Sequence, residues 1–323
     1  MNNVIVGVDT GNSDIKTSGT TTPSGYAVYA KKPEMTSEYL FYNGKYYTPS
    51  IQRFTIENDK SKDEKFFILS LIGIAKELVS NINTCSHDDF RRMQEEISKI
   101  KAIYLGVGLP PAHMEYLKEP FEQYYITNFK EDGIQFIYND YEFHLKLNRV
   151  FVFPQDHAAI IDNKSKCNIA QDYPSYYGID IGGGTFDVVP IINGKVDKEH
   201  CFSRPLGITP MYEKIVDKII NLKNIPIDAQ LIESVLKGEA TVLDDDIKSM
   251  IESIAAKWIK DALNTCIQAG ISIDMRPCII LGGGSILTRR FIEQAGVLKK
   301  INYISNPNAN AIAYKHLISQ IIN

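Results

Sequence analysis

Two segments of this chain place an aspartate at the end of an apolar run and follow it with glycine. Val4-Ile5-Val6-Gly7-Val8 leads into Asp9-Thr10-Gly11-Asn12, and Tyr177-Gly178-Ile179 leads into Asp180-Ile181-Gly182-Gly183-Gly184-Thr185. Glycines in a tight turn let the backbone approach a phosphate and aim successive N–H groups at its oxygens. A polyphosphate suits such a turn. The aspartates would repel phosphate oxygens directly, so their useful work is to hold a hydrated Mg²⁺ or to orient an attacking water. Asp9 and Asp180 are the candidates. Lys16, on the segment returning from the first turn, is placed to neutralise phosphate charge. A third cluster, Gly282-Gly283-Gly284-Ser285, follows an apolar run and precedes a helical pattern, leaving bare backbone for a flat base or a ribose.

Other phosphate-binding loops are excluded by inspection. No segment reads GxxxxGK followed by Ser or Thr, and none of the glycine clusters completes GxGxxG before a helix. A glycine triplet alone is more often an ordinary loop, and an aspartate at a strand end is more often a turn former. What raises these above that level is their recurrence in one order along one chain. Between them lies Pro154-Gln155-Asp156-His157-Ala158-Ala159, where an apolar strand is broken at Pro154 and a helix begins, with Asp156 suited to its N-cap.

The elements that must carry these residues are legible in part. The first turn joins residues 4–8 to 13–17 as a hairpin, and the second joins 177–181 to 185–192 in the same way; the chain holds a second copy of its own beginning. Asn43-Gly44 marks a hairpin inside a Tyr-rich, β-rich insertion at about residues 26–60. Helices are expected at 65–81, 88–98, 210–222, 228–237, 245–269 and 309–321, and strands at 102–107, 150–153 and 278–281. A chain of 323 residues suits two domains. The expected division is 1–164 with 305–323 as domain I, and 165–304 as domain II. The fold class expected is α/β, with a mixed sheet flanked by helices in each domain.

Composition narrows the function. With 44% hydrophobic and 23% charged residues, 18 Tyr and 14 Phe, the chain is expected to fold throughout. A net charge of −4 and a pI near 5.9 supply no basic field for gripping nucleic acid, so no direct DNA contact is expected. Five scattered cysteines, never in CxxC spacing, fit neither a disulfide framework nor a zinc site and suit a reducing cytoplasm. The longest apolar stretch, 66–75, is about half a membrane span, and the N-terminus begins in a strand pattern without a basic leader. No membrane association is expected.

These motifs together resemble a known family. Asp9-x-Gly11-Asn12-x-x-x-Lys16 is similar to the first phosphate motif of ParM-type bacterial actins, and 180–187 to the second phosphate motif of the actin/Hsp70/sugar-kinase superfamily. Gly282-Gly283-Gly284-Ser285 is similar to its adenosine motif. Residues 154–159 and 306–311 look like its two inter-domain connections. The resemblance spans nearly the whole chain. It implies Mg-ATP, or GTP, in a cleft between two related domains, bound through Asp9, Gly11, Asn12, Lys16, Gly182, Gly183, Gly184, Thr185, Gly282, Gly283, Gly284 and Ser285. By analogy Glu213 and Lys214 touch ribose or base. It implies hydrolysis, head-to-tail polymerisation, and a DNA-binding adaptor that couples filaments to plasmid or phage DNA. One departure concerns catalysis: the ParM branch carries a carboxylate where this chain has Gln155, as actin has. The hydrolytic role then falls to Gln155, to Asp156, or to both, with Asp180. The rival readings are a small-molecule kinase of the same fold and a non-polymerising ATP-switched scaffold. An Hsp70-like chaperone is not expected, since the chain ends at Asn323 just after the closing helix.

Overall fold

The computed structural model describes residues 2–34, 36, 38–54, 59–83 and 90–322. Two compact units are present: Met1–Asp162 with Asn308–Asn323, and Asn163–Pro307.

In the first unit the strands are β1 (Asn2–Thr10), β2 (Asp14–Lys16), β3 (Thr21–Pro23), β4 (Tyr26–Tyr29), β5 (Leu40–Tyr42), β6 (Lys45–Pro49), β7 (Ile100–Leu109), β8 (Ile134–Tyr138) and β9 (Tyr141–Pro154). Among the described residues they form one sheet in the order β3-β2-β1-β7-β9-β8-β5-β6-β4. Helices α1 (Glu64–Asn83), α2 (Phe90–Lys99), α3 (Met114–Phe129) and α4 (His157–Asp162) complete it with the C-terminal helix Ala309–Ile322. The middle strands β1, β7 and β9 run parallel, and the hairpins at either side are antiparallel. Buried on both faces, β1 and β7 read as continuous apolar runs. The core beneath them is built on Phe67, Leu71, Leu105, Phe121, Tyr125 and Phe129.

The Tyr-rich segment is not set apart from this sheet. β5 and β6 turn at Asn43-Gly44, both at positive φ (48° and 74°), but β5 also pairs with β8 (Leu40↔Tyr138, Phe41↔Ile137). Sequence patterning passes over α3, β8 and the first half of β9. α3 contains Pro120 in its second turn, which speaks against a helix by propensity, and β9 alternates buried and exposed residues before its apolar end. Residues 88 and 89, where the second helix was expected to begin, lie outside the described residues.

The second unit contains α5 (Asn168–Asp172), β10 (Ser175–Ile181), β11 (Phe186–Ile192), β12 (Lys195–Val196), β13 (Phe202–Arg204), α6 (Ile208–Lys223), α7 (Ala229–Lys237), α8 (Asp245–Gln268), β14 (Cys278–Leu281), α9 (Gly283–Ala295) and β15 (Ile301–Tyr303). Its sheet runs β12-β11-β10-β14-β15, with β13 on β11. The opening theme recurs: a strand pairs antiparallel with the next strand and parallel with a later one, β1 with β2 and β7, β10 with β11 and β14. Helices α6, α8 and α9 supply Met211, Ile215, Ile259, Leu263 and Phe291 to the core. Each unit is thus a mixed sheet with helices. Among the described residues no helix is long and apolar enough to cross a membrane. Cys167, Cys201, Cys266 and Cys278 are free thiols; burial pushes the Cys266 and Cys278 thiols up to about 12, so neither is a ready nucleophile. Cys85 lies outside the described residues.

One buried carboxylate belongs to neither core. Glu77, on α1, is 1% exposed and accepts hydrogen bonds from the turn between β2 and β3: Thr17 Oγ1 at 2.8 Å, Gly19 N at 2.9 Å and the Ser18 hydroxyl. Lys315 Nζ, from the C-terminal helix, stands 3.6 Å away. Burial alone would raise this carboxyl's pKa, but the three hydrogen bonds and the ammonium outweigh it and hold Glu77 below its ordinary value. A folded pKa below the unfolded one contributes stability that is complete above the unfolded value and fades as pH falls through the folded one. Thermal denaturation of wild type and Glu77→Gln should therefore show a stability gap at neutral pH that narrows below about pH 4. A gap of constant size down to strong acid would contradict an ionised Glu77.

Candidate functional site

A turn that offers N–H groups to an anion must find other partners for the carbonyls of the same peptides, because the two groups of a trans peptide point in opposite directions. Both glycine turns meet that demand. In the first unit, the Thr10 carbonyl accepts from the ammonium of Lys60, a buried lysine in the 3₁₀ turn Lys60–Lys62. The Gly11 carbonyl accepts from Ser24 Oγ at 2.7 Å. The N–H groups of Gly11 and Asn12 consequently face away from Lys60 and Ser24. In the second unit, the carbonyls of Gly184, Gly182 and Gly183 accept from the N–H groups of Gly207, Ile208 and Thr209 at 3.2, 3.1 and 2.7 Å, while Gly182 N donates to Thr185 O at 2.9 Å. The start of α6 thus spends its unsatisfied N–H groups on the back of the turn. The N–H groups of Gly183, Gly184 and Thr185 face the other way.

Asp9 ends β1 and is 6% exposed. Gln155 Nε2 donates to its Oδ1 at 2.8 Å, and Asn310 Nδ2 lies 3.5 Å from its Oδ2. Asn310 also accepts from Asp156 N at 2.8 Å and reaches Asp156 Oδ1 at 3.4 Å. Asp156 is buried and at φ 63°, a strained conformation that this clamp sustains. It therefore braces the bend that leads from β9 into α4. Lys16 stands directly opposite Asp9 in the β1–β2 register, so both side chains leave the same face of the sheet. Asn310 reaches Asp9 because the C-terminal helix lies close against the sheet: a Cβ on Gly7 would overlap the Ala311 carbonyl, and one on Gly106 would come within 2.7 Å of Tyr314 Cβ.

Asp180 stands opposite Asp187 on β11, whose Oδ2 accepts from Thr185 Oγ1 at 2.7 Å. That contact gives Asp187 a part in shaping the turn. The third cluster joins the second here: Leu281 pairs with Asp180, and Gly282 sits at φ 89° with no room for a Cβ beside the Asp180 carboxylate. Ser285 closes the start of α9, its hydroxyl donating to Gly282 O at 2.7 Å, and Gly283 opens the helix. Glu213 and Lys214 lie on the second turn of α6, both exposed. The Lys214 ammonium is 5.2 Å above the Trp258 ring, and Trp258 Nε1 donates to Leu206 O. The glycine turns and their aspartates are thus gathered within their units, and Glu213 and Lys214 lie exposed on the second turn of the helix that backs the second glycine turn.

Among the described residues no group of three or more His, Cys, Asp and Glu side chains is placed to hold a metal. A site of one or two carboxylates suits Mg²⁺, which keeps several waters and shares its shell with phosphate oxygens. Sequence reading missed Lys60, Asn310 and Gly207 as functional residues. A lysine in a loop carries no signal until the fold buries it, but an Asn-Ala-Asn run opening a helix was a visible sign.

No known protein-family profile matches this chain, and no curated protein matches it in sequence. Solved structures do match over the full length. An archaeal actin homologue in complex with ADP superposes with a TM-score of 0.70 at 18% identity, covering 98% of this chain and 99% of that one. A 15-stranded ParM filament from Clostridium botulinum gives 0.69 at 16%, covering 99% and 100%. Bacillus thuringiensis ParM with ATP gives 0.64 at 13%, covering all of both chains. The chain has the actin-like fold. In this actin-like chain Gly207 is the residue on which the second turn rests, since a Cβ there would lie 2.6 Å from Gly184 C and 2.7 Å from the carbonyl oxygens of Gly182 and Gly183. Overpacking of this kind costs about 1–3 kcal/mol. Gly207→Ala should lower stability by that order in urea denaturation, and a variant as stable as wild type would show that the contact can relax freely.

Proposed function

We propose that this chain is a Mg-dependent ATPase of the ParM type, assembling head to tail into filaments that segregate plasmid or phage DNA through a DNA-binding adaptor. One observation carries the reading: two Asp-glycine hairpins, one in each unit, both with their carbonyls tied back so that the N–H groups of the same peptides point the opposite way. The similar solved structures support the rest: an archaeal actin homologue with ADP, ParM with ATP, a ParM filament and an Alp12 filament. At −4 net charge the chain has no basic field for DNA, which is why an adaptor is invoked.

In this reading the N–H groups of Gly11, Asn12, Gly183, Gly184 and Thr185 bind the phosphate chain and Lys16 offsets its charge. Gly282, Gly283, Gly284 and Ser285 leave room for the nucleoside, with Glu213 and Lys214 at its rim. Mg²⁺ supplies charge neutralisation of the triphosphate, and Asp9 and Asp180 are the residues that would hold its water shell. Gln155 is the residue we assign to orienting the attacking water: its amide already donates to Asp9, which leaves its carbonyl oxygen to accept from that water. Asp156 assists by holding Gln155 in place, and Asp180 is the other residue assigned to orienting water. The water oxygen bonds to the γ-phosphorus as the bond to the β-phosphate oxygen breaks, a water proton passing to a γ-phosphate oxygen, yielding ADP and inorganic phosphate. Filament growth is an open, heterologous association of identical subunits, favoured by ATP and released after hydrolysis, with GTP as an alternative substrate. The cytoplasm is the compartment that such a cycle requires.

Purified protein with Mg²⁺ and ATP should scatter light and show filaments by negative-stain electron microscopy, then disassemble as phosphate appears. Gln155→Ala should slow phosphate release by about 100-fold or more while filaments form and persist. Asp180→Ala should lose both hydrolysis and assembly. Flat scattering at high protein concentration with ATP bound would sink the filament claim; ADP release stimulated by a small hydroxylated substrate, with the phosphoryl group transferred to it and no free phosphate formed, would favour the kinase.

A further inference from the structure

We propose that Glu77 is a positioning residue for the first phosphate-facing hairpin: its buried carboxylate fixes the turn at residues 17–20 and through it the place of Lys16 opposite Asp9. The inference rests on the nucleotide-binding reading for the role of Lys16, and on the geometry alone for the role of Glu77. Lys16 ends β2, which meets β1 at only Asp9↔Lys16 and Thr10↔Ile15 and turns at 17–20 into β3. β2 and β3 are three residues each, β3 is an edge of the sheet, and such short strand pairs are marginal in water. A slip of one residue would turn Lys16 to the opposite face.

What prevents the slip comes from outside the hairpin. Glu77 binds three consecutive residues, Thr17, Ser18 and Gly19. Thr17 Oγ1 in turn lies 2.7 Å from Thr20 Oγ1 and accepts from Thr20 N at 3.1 Å. α1 carries the carboxylate to this position because it runs in contact with β2: a Cβ on Gly73 would lie 3.2 Å from Ile15 Cγ2 and 3.3 Å from Thr17 Cγ2. The C-terminal segment closes the far side, with Lys315 Nζ 3.4 Å from Ser18 Oγ, Asn308 Nδ2 3.3 Å from Thr20 O, and Thr21 Oγ1 3.2 Å from Asn308 Oδ1. A buried carboxylate is tolerated only where its oxygens are satisfied, so Glu77 accepts only the turn conformation that supplies these donors. Lys16 is the next residue before Thr17, and one backbone bond transmits the constraint.

The test uses the full chain as wild type, Glu77→Gln, Glu77→Asp and Lys315→Met, with three readouts. Amide hydrogen exchange over residues 15–21, against β7 as an internal reference, reads the hairpin without nucleotide. Titration with a fluorescent ATP analogue and Mg²⁺ reads affinity, and steady-state phosphate release separates KM from kcat. In Glu77→Gln, hairpin amides should exchange about tenfold faster with β7 unchanged, affinity should fall about tenfold, and kcat should change by less than about twofold. Glu77→Asp should restore part of each loss, and Lys315→Met should show the same pattern more weakly. If Glu77→Gln fails to fold, the latter two variants carry the test. Unchanged hairpin exchange in folded variants overturns the inference, and so does faster exchange with unchanged affinity. If wild type itself binds no ATP analogue, the nucleotide reading fails, while the exchange data still decide whether Glu77 holds the hairpin.

Discussion

The structure depends on a constraint of the peptide bond. A backbone that presents N–H groups to a ligand presents carbonyls behind them, and buried carbonyls without partners destabilise the fold by roughly 1–3 kcal/mol each. The two units solve the same problem with different donors. In the second, the open end of α6 supplies three successive N–H groups to Gly182, Gly183 and Gly184. In the first the donors are side chains, Lys60 to Thr10 and Ser24 to Gly11. A charge-assisted bond of the Lys60 kind is about twice as strong as a neutral one, and the lysine adds positive charge beneath the turn.

That constraint explains why elements remote in sequence converge on short turns. The C-terminal helix crosses β1 and β7 where Gly7 and Gly106 admit it, and from that crossing Asn310 reaches Asp9 and Asp156, while Lys315 reaches toward Glu77. Asp9 is held by amides, Gln155 and Asn310, which donate to a carboxylate without neutralising its charge. In the second unit the missing side chain of Gly282 lets the Asp180 carboxylate pack against its backbone, where any Cβ would overlap Oδ1, and Thr185 and Asp187 lock the turn from across the hairpin.

Much of this was legible before the fold. The Asp-glycine turns, the returning strands, the Asn43-Gly44 hairpin and the helices from α6 onward follow from period and turn chemistry, because these signals are local. The stretch from α3 to the start of β9 was not, since Pro120 interrupts the helical signal and β9 mixes alternation with an apolar end. Gln155 stood out from its motif, and its bond to Asp9 bears on that assignment. Glu213 and Lys214 came from analogy, and on α6 the lysine lies over Trp258.

The sequence by itself determined which residues can turn tightly, which strands are buried on both faces, and that carboxylates stand at two strand ends. These are properties of neighbours along the chain. Tertiary structure alone decided that Lys60, Glu77 and Asn310 converge on the turns and strand ends of the first unit, and Gly207 on the glycine turn of the second. Their partners lie 50 or more residues away for Lys60 with Thr10, Glu77 with Thr17 and Asn310 with Asp9, and for Gly207 they lie in the turn that its helix was folded to meet. A lysine, a glutamate, a glycine and an asparagine in isolation are a surface charge, a surface charge, a loop and a helix start. Burial makes each one's polar groups or missing side chain matter, and burial is a property of the whole fold.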